Sequence, residues 1–191
     1  MSDDAGAFAY EGFPLQTQRL VVRSMTREDL EPYYRLNSDP QVMRFMGRAV
    51  WTREQTGQVL EAVMTNSRNH LLDWVAAADR VAPEKMLGMV CLLRLPEAHQ
   101  AEVGGGPYIE VGWRMLPEYW NRGYATEAAR AVVEYGFDVR GLTEIVCIVD
   151  SANAASLRVA EKLGLAYEKT YELNGQQIRF HRLTQVPRVL P

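Results

Sequence analysis

The protein is a chain of 191 residues in which 21 Lys and Arg stand against 24 Asp and Glu, giving a formal net charge of −3. Hydrophobic residues make up 47% of the chain and charged residues 24%, which excludes a wholly disordered, collagen-like or coiled-coil protein. The slight acidity argues against a dedicated nucleic-acid-binding protein, which usually carries a strong excess of positive charge. A local basic pocket is still compatible with it, because net charge averages over the whole surface.

The chain shows no signal for a membrane or for an oxidising compartment. Its apolar runs are all far shorter than the ~18 residues that a membrane-spanning helix needs, and its first residues are acidic rather than basic as in a signal peptide. Cys91 and Cys147 lie in separate apolar runs without metal-site spacing, which favours small buried hydrophobic residues over a disulfide. We therefore expect a cytoplasmic protein that binds neither membrane nor nucleic acid and needs no metal.

The first half of the chain predicts an arm, a strand and three helices. Residues 1–15 are expected to form a loosely held N-terminal arm, because glycine and proline interrupt any hydrophobic period there. A strand follows at 19–23. Thr26 followed by Asp29 predicts a helix start, Asp39-Pro40 starts a short helix, and Thr52 with Gln55 forms a capping box for a helix to about residue 66.

The second half predicts a mixed sheet with two more helices. Its expected elements, in order, are a hairpin of strands 72–78 and 85–95, a strand at 108–114, a helix at 122–139, a strand at 145–149, a helix at 153–163 ended by Gly164, and a hairpin of 165–173 and 177–183 around Asn174-Gly175. No linker divides this pattern. The sequence therefore predicts one α/β domain over residues 16–184, followed by a short tail at 185–191.

One strand–loop–helix segment, residues 109–128, has the features of an anion site. The free N–H groups of a helix's first turn attract anions, together with the positive end of the helix dipole. Gly123 and Ala125 are small enough for phosphate oxygens to reach the backbone, and Arg122 adds a positive charge. The alternative is a tight helix start without a ligand. The pattern matches neither dinucleotide-binding nor P-loop motifs.

The same segment resembles a known family. Trp120-Asn-Arg-Gly-Tyr-Ala125 is similar to the [Gln/Arg]-x-x-Gly-x-[Gly/Ala] loop that binds the acetyl-CoA pyrophosphate in GNAT acetyltransferases, except that Trp120 replaces the usual Gln or Arg. The opening residues 17–29, the segment 38–44 and the stretch 153–165 resemble the RimJ/RimL-like branch, the ribosomal-protein N-terminal acetyltransferase type. The resemblance covers roughly residues 16–184.

This resemblance implies a fold and a set of cofactor contacts. The fold would be a single-domain GNAT fold of the α/β (α+β) class, with a mixed, mostly antiparallel sheet that is splayed at its centre and carries helices on both faces. Acetyl-CoA would be the cosubstrate. The residues implied to bind it are Trp113, Arg114 and Met115 at the pantetheine arm, Asn121, Arg122, Gly123, Tyr124, Ala125 and Thr126 at the pyrophosphate, and Asn153 and Ser156 beyond the next strand.

The resemblance also implies the reaction, in which a primary amine attacks the thioester directly within a ternary complex. A backbone N–H near Trp113 would stabilise the oxyanion. Asn153 would bind the cofactor arm, or alternatively only cap its helix. Many family members place a tyrosine acid at the position of Ala160, so Ser156 is the available substitute near the thiol; the alternative is a hydroxyl that bonds back to its own helix.

Glu110 is the candidate general base. Strand alternation puts Glu110 and Gly112 on one face, opposite Val111 and Trp113. The attacking amine must lose a proton, which a partly buried carboxylate can accept through a water molecule. The alternative is a structural carboxylate paired with Arg44 or Arg48.

The acceptor is left open by the sequence. A protein N-terminus and a small-molecule amine, such as an antibiotic, a polyamine or an amino acid, both fit the motifs, and a homodimer through the terminal hairpin fits them as well. A non-catalytic acyl-CoA-binding sensor is a further alternative, because the usual tyrosine is missing at Ala160.

Overall fold

The computed structural model describes residues 12–47, 49–65 and 72–185. The strands are β1 Leu15–Gln16, β2 Leu20–Arg23, β3 Val75–Asp79, β4 Met86–Arg94, β5 Ile109–Met115, β6 Glu144–Asp150, β7 Ala166–Leu173 and β8 Gln176–Thr184. The helices are α1 Leu30–Ser38, α2 Pro40–Met43, α3 Arg53–Thr65, α4 Glu97–Val103, α5 Tyr124–Asp138 and α6 Ala154–Leu163. No helix within these ranges is both long and apolar enough to cross a membrane.

Local sequence signals account for most of these boundaries. Gln55 N–H donates to the Thr52 hydroxyl and Thr52 N–H donates to the Gln55 side chain, which completes the predicted capping box of α3. Asn174 and Gly175 both have positive φ, as a two-residue hairpin turn requires. Helix α4 is not predicted from the sequence, in which this segment reads as a loop.

The eight strands form one sheet in the order β1-β2-β3-β4-β5-β6-β8-β7. Every neighbouring pair is antiparallel except β5 and β6, which run parallel and share a single register pair, Glu110 with Val146. Beyond that pair the two strands diverge toward their C-terminal ends. The predicted mixed, mostly antiparallel and centrally splayed sheet is therefore confirmed.

Helices cover both faces of the sheet, each over its own apolar core. Helices α5 and α6 lie on one face, where Val132, Ile145 and Ala160 are fully buried. Helices α1 and α3 lie on the other face, where Leu36, Leu60 and Met89 form a second core. The open gap between β5 and β6 is thus flanked by a rigid layer on each side.

The last residues of the predicted N-terminal arm belong to the folded domain. Phe13 packs against the core under α5, and Leu15 belongs to β1, where it pairs with Val22. Residues 1–11, the tail at 186–191 and Arg48 lie outside the described residues, so the remaining predictions for these segments stay predictions.

Candidate functional site

The backbone of β5 offers hydrogen-bonding groups to the gap. Leu116 N–H donates to the carbonyl of Leu87 (3.0 Å) and Leu95 N–H to that of Tyr108 (2.9 Å). Because paired residues alternate along an antiparallel ladder, the even-numbered residues of β5 bond to β4 and the odd-numbered ones face β6. Trp113 and Met115 therefore direct their backbone N–H groups into the gap, as a pantetheine arm requires.

The side chains of β5 alternate between the two faces, as predicted. Val111 is buried in the core under α5, and Trp113 packs against the same core. Gly112 lies on the opposite face, where an added Cβ would sit 2.9 Å from Cys91 Sγ and 3.2 Å from the Trp74 ring. Glu110 shares that face, which is the side of α1 and α3.

Glu110 is half-buried and has no ion-pair partner among the described residues. Within the described residues, its carboxylate makes no hydrogen bond or salt bridge to a side chain, and the guanidinium of Arg44 lies instead over the Phe45 ring at 5.2 Å. Burial raises the pKa of Glu110 to about 8. A carboxyl group with this pKa is half-ionised near pH 8 and about one-tenth ionised at pH 7, so it can accept a proton in that range.

The start of α5 leaves its first-turn amides available. Gly123 is the N-cap residue with φ of +81°, and no side chain caps the helix. Asn121, Arg122 and Gly123 are exposed, and Asn121 also has a positive φ of 59°. An uncapped helix start at an exposed loop is suited to bind phosphate. The structure thus brings the predicted loop residues together.

Trp120 has a structural role in this loop. Its indole N–H donates to the backbone carbonyl of Met115 at 2.6 Å, which ties the loop to the end of β5. Trp120, which stands where the family motif usually has Gln or Arg, therefore attaches the loop to β5. The backbone N–H groups of residues 121–126 remain available to a ligand.

Arg19 and Thr17, which the sequence does not single out, stabilise the same loop and the first turn of α5. Arg19 donates to the Arg122 carbonyl and to the Glu127 carboxylate, which also accepts from the Thr17 hydroxyl. These contacts join residues more than 100 positions apart, so no local pattern reveals them. The available signal for this contact is a pair of polar residues, Thr17 and Arg19, just before β2, together with an acidic residue in the first turn of α5.

The start of α6 differs from that of α5. The Asn153 side-chain oxygen accepts a hydrogen bond from Ser156 N–H at 3.1 Å, so it caps the helix. Its amide nitrogen remains a donor. Among the described residues, the Ser156 hydroxyl makes no hydrogen bond back to the helix. Ala160, at the position of the usual tyrosine, is fully buried in the core.

Arg114 lies away from the gap. Its backbone is an even-numbered position of β5 opposite Met89, and its side chain is only 6% exposed on the α1 face. The guanidinium donates to the Asn37 side chain at 2.9 Å and lies 5.0 Å from the Trp74 ring. Trp113 and Met115 thus face the gap, whereas Arg114 packs beneath the acceptor side.

Comparison with known proteins decides the family. Residues 19–166 match the model of the acetyltransferase (GNAT) domain. The chain belongs to the GNAT family. It is therefore an acetyl-CoA-dependent N-acyltransferase, a class supported by its named relatives. The matched range includes the loop at 120–125 and the whole of β5.

Relatives of this GNAT protein include enzymes with a named acceptor. It is 29% identical over 161 residues to YoaA, an uncharacterised N-acetyltransferase of Bacillus subtilis, covering 82% of this chain and 85% of the relative. It is 27% identical over 164 residues to spermidine N(1)-acetyltransferase of Escherichia coli K12, covering 81% and 79%. Its fold is similar to spermidine N-acetyltransferase of Vibrio cholerae in complex with CoA and spermine, at a TM-score of 0.70 and 18% identity over 88% of this chain and 97% of that chain.

Proposed function

We propose that this GNAT protein transfers the acetyl group of acetyl-CoA to a primary amine by direct attack in a ternary complex, as a member of the RimJ/RimL-like branch. The observation that carries the proposal is the divergence of β5 and β6 immediately beyond Glu110 and Val146. Free backbone groups of β5 lie there beside a half-buried carboxyl group that has no ion-pair partner among the described residues. The uncapped start of α5 lies beyond the same end of β5.

The proposed roles follow from these positions. Backbone groups of Trp113 and Met115 bind the pantetheine arm as an added strand would, and the N–H near Trp113 stabilises the oxyanion. The residues 121–126 bind the pyrophosphate, and the Asn153 amide nitrogen binds the arm. Glu110 accepts the amine proton through a water molecule while the new C–N bond forms. The C–S bond then breaks, and the Ser156 hydroxyl donates a hydrogen bond to the leaving thiolate.

Replacing Gly123 tests the loop assignment. Gly123→Glu adds a side chain at a φ that favours glycine, with its Cβ 3.4 Å from an Arg19 guanidinium nitrogen. It should therefore distort the backbone whose amides would bind the phosphates, and it adds a negative charge beside them. Gly141→Glu is the matched control, because Gly141 also has a positive φ (+64°) and a Cβ there meets nothing within 4 Å. We expect calorimetry to show acetyl-CoA binding to the control and none to Gly123→Glu. Normal affinity of the Gly123 variant would exclude this loop.

A polyamine is the second candidate acceptor, favoured over other small molecules by the relatives named spermidine acetyltransferases. A panel containing spermidine, amino acids, an aminoglycoside and peptides with free N-termini separates the candidates by the rate of CoA-SH release. Turnover of the peptides alone supports the protein N-terminus, and turnover of spermidine alone supports the polyamine. Binding of acetyl-CoA without turnover of any amine would favour the sensor.

The proposal includes a cytoplasmic location and a homodimer. The described cysteines, Cys91 and Cys147, are both free and buried, which suits a reducing compartment. Strand β7 lies at the edge of the sheet and exposes most of its residues, which leaves its outer backbone groups available to a second copy. Sedimentation velocity tests the dimer, and a monomer at all concentrations would exclude it.

A further inference from the structure

Glu127 is the centre of a contact between the first strands and α5. Its Oε1 accepts from the Thr17 hydroxyl at 2.6 Å and from Arg19 N–H at 2.8 Å, and its Oε2 accepts from Arg19 Nε at 2.7 Å. The side chain is only 16% exposed. Burial alone favours the neutral acid, but the bonds from Thr17 and Arg19 outweigh it and lower the pKa of Glu127. The carboxylate therefore stays ionised.

The Arg19 guanidinium reaches three successive residues of the pyrophosphate loop from this anchor. One terminal nitrogen donates to the Arg122 carbonyl at 2.9 Å. The guanidinium lies 4.3 Å from the centre of the Tyr124 ring. Between these two contacts, a Cβ added to Gly123 would sit 3.4 Å from the other terminal nitrogen.

These contacts act on a helix start that no side chain of the described residues caps. Asn121 and Gly123 both have positive φ. A non-glycine residue in this conformation is uncommon and is kept by its surroundings. A planar guanidinium with several donors in fixed directions can hold such a loop in one conformation, which a lysine ammonium cannot do.

We propose that Arg19, held by Glu127, is a positioning residue that fixes residues 121–124 so that their amides face the acetyl-CoA pyrophosphate. The Arg19 guanidinium donates to a carbonyl of the loop and has no acceptor atom, so it occupies none of the loop's backbone N–H groups. The role extends the proposed loop assignment, on which it rests. The proposal also gives a function to residues 17–19, the short connection between β1 and β2.

The test compares two ligands that differ in the pyrophosphate. We expect Arg19→Met to weaken acetyl-CoA binding about tenfold, as the loss of charge-assisted hydrogen bonds predicts, and to leave the binding of S-acetylpantetheine unchanged, because that ligand has no pyrophosphate. Arg19→Lys keeps the charge but not the planar fork, and should bind acetyl-CoA as weakly as Arg19→Met. Calorimetry measures the first ligand and ligand-observed NMR the second.

Arg27→Met is the matched control, because Arg27 forms a similar two-bonded pair with Glu61 on the exposed surface of α3. Its affinity for acetyl-CoA should equal that of the wild type. Should Arg19→Met fail to fold, Glu127→Gln provides a more conservative variant, since it removes only the charge that holds Arg19. It should weaken acetyl-CoA binding and leave S-acetylpantetheine binding unchanged. Wild-type affinity in the Arg19 variants, or equal weakening of both ligands, overturns the positioning role. Failure of the wild type to bind acetyl-CoA would instead overturn the loop assignment.

Discussion

At the level of single residues, the proposed chemistry depends on the ionisation of Glu110. This carboxyl group lies on the central strand, away from any described ion-pair partner, and burial raises its pKa to about 8. A general base is effective only when it is ionised and when its pKa lies near the working pH. The half-buried position thus gives Glu110 a pKa near the working pH, whereas an exposed carboxylate with a pKa near 4.5 would be a weaker base.

The first prediction concerns the pH dependence of the rate. Because Glu110 acts as a base, its contribution to kcat/KM should rise with pH to about 8 and level off above it, in addition to any rise caused by the acceptor's own ammonium group. Glu110→Gln should lower kcat/KM about 100-fold or more and remove this rise, leaving only the rise that is due to the acceptor's own ammonium group. Initial rates from pH 6 to 10 measure both. Glu172→Gln, an exposed change on β7, should keep the wild-type profile, and an unchanged profile in Glu110→Gln would exclude this base.

The second prediction concerns stability, which the same pKa links to pH. A carboxyl group whose pKa is higher in the folded state stabilises the fold at low pH and loses that contribution as pH rises from its usual 4.5 to about 8. Glu110→Gln should therefore exceed the wild type in free energy of unfolding at pH 9, by on the order of 1–3 kcal/mol, with little difference at pH 4.5. Urea unfolding at the two pH values measures this. A difference that does not change with pH would show that burial does not perturb Glu110.

At the level of elements, two glycines show how helices and strands differ in what they tolerate. Gly57 lies inside α3, where a Cβ would meet only Leu30 Cδ1 at 3.8 Å. Gly88 lies in β4, where a Cβ would come within 2.8 Å of the Met115 backbone. The helix has room for the extra atom, whereas the strand would have to move away from β5.

The third prediction follows from this contrast. Gly57→Ala should raise the free energy of unfolding by about 0.5–1 kcal/mol, because alanine loses less backbone entropy in a helix than glycine. Gly88→Ala should lower it, by about 1–3 kcal/mol, because the new atom disturbs the β4–β5 ladder. Thermal and urea unfolding measure both variants. The reverse order would contradict the observed packing of these two elements.

The elements that the sequence predicts best are those with local signals. The capping box of α3 and the Asn174-Gly175 turn are confirmed because a few adjacent residues determine them. Helix α4 could not be predicted, since it buries none of its residues. It is held by distant contacts instead, such as the Lys169 ammonium on the Val103 carbonyl (2.6 Å) and His99 on Tyr171 (2.7 Å).

The same distinction applies to the candidate site. The loop at 121–126 and the position of Glu110 follow from a motif and from strand alternation, both of which are local. The support given by Arg19 does not, because it lies 108 residues from Glu127. Arg114 shows a further limit: the family resemblance implies a cofactor contact there, but the pairing of β5 with β4 turns its backbone away from the gap.

At the level of the whole molecule, the net charge of −3 does not prevent the binding of an anionic ligand. In the proposed site, the attraction would come from the uncapped amides of α5 and from Arg122, which act over a short range. The ligand would also span two parts of the sheet, since β1 to β5 and β6 to β8 meet only through the β5–β6 pair.

The divergence of these two strands has a consequence for hydrogen exchange, which is the fourth prediction. In the free protein, the amides of Gly112 and Arg114 are paired with β4 and should exchange slowly, whereas those of Trp113 and Met115 face the gap and should exchange fast. Acetyl-CoA should slow exchange at the odd positions only. Exchange measured by NMR tests this alternation, and uniform protection along β5 in the free protein would contradict it. In the proposed complex the ligand would complete the sheet, and β5 would be fully hydrogen-bonded only there.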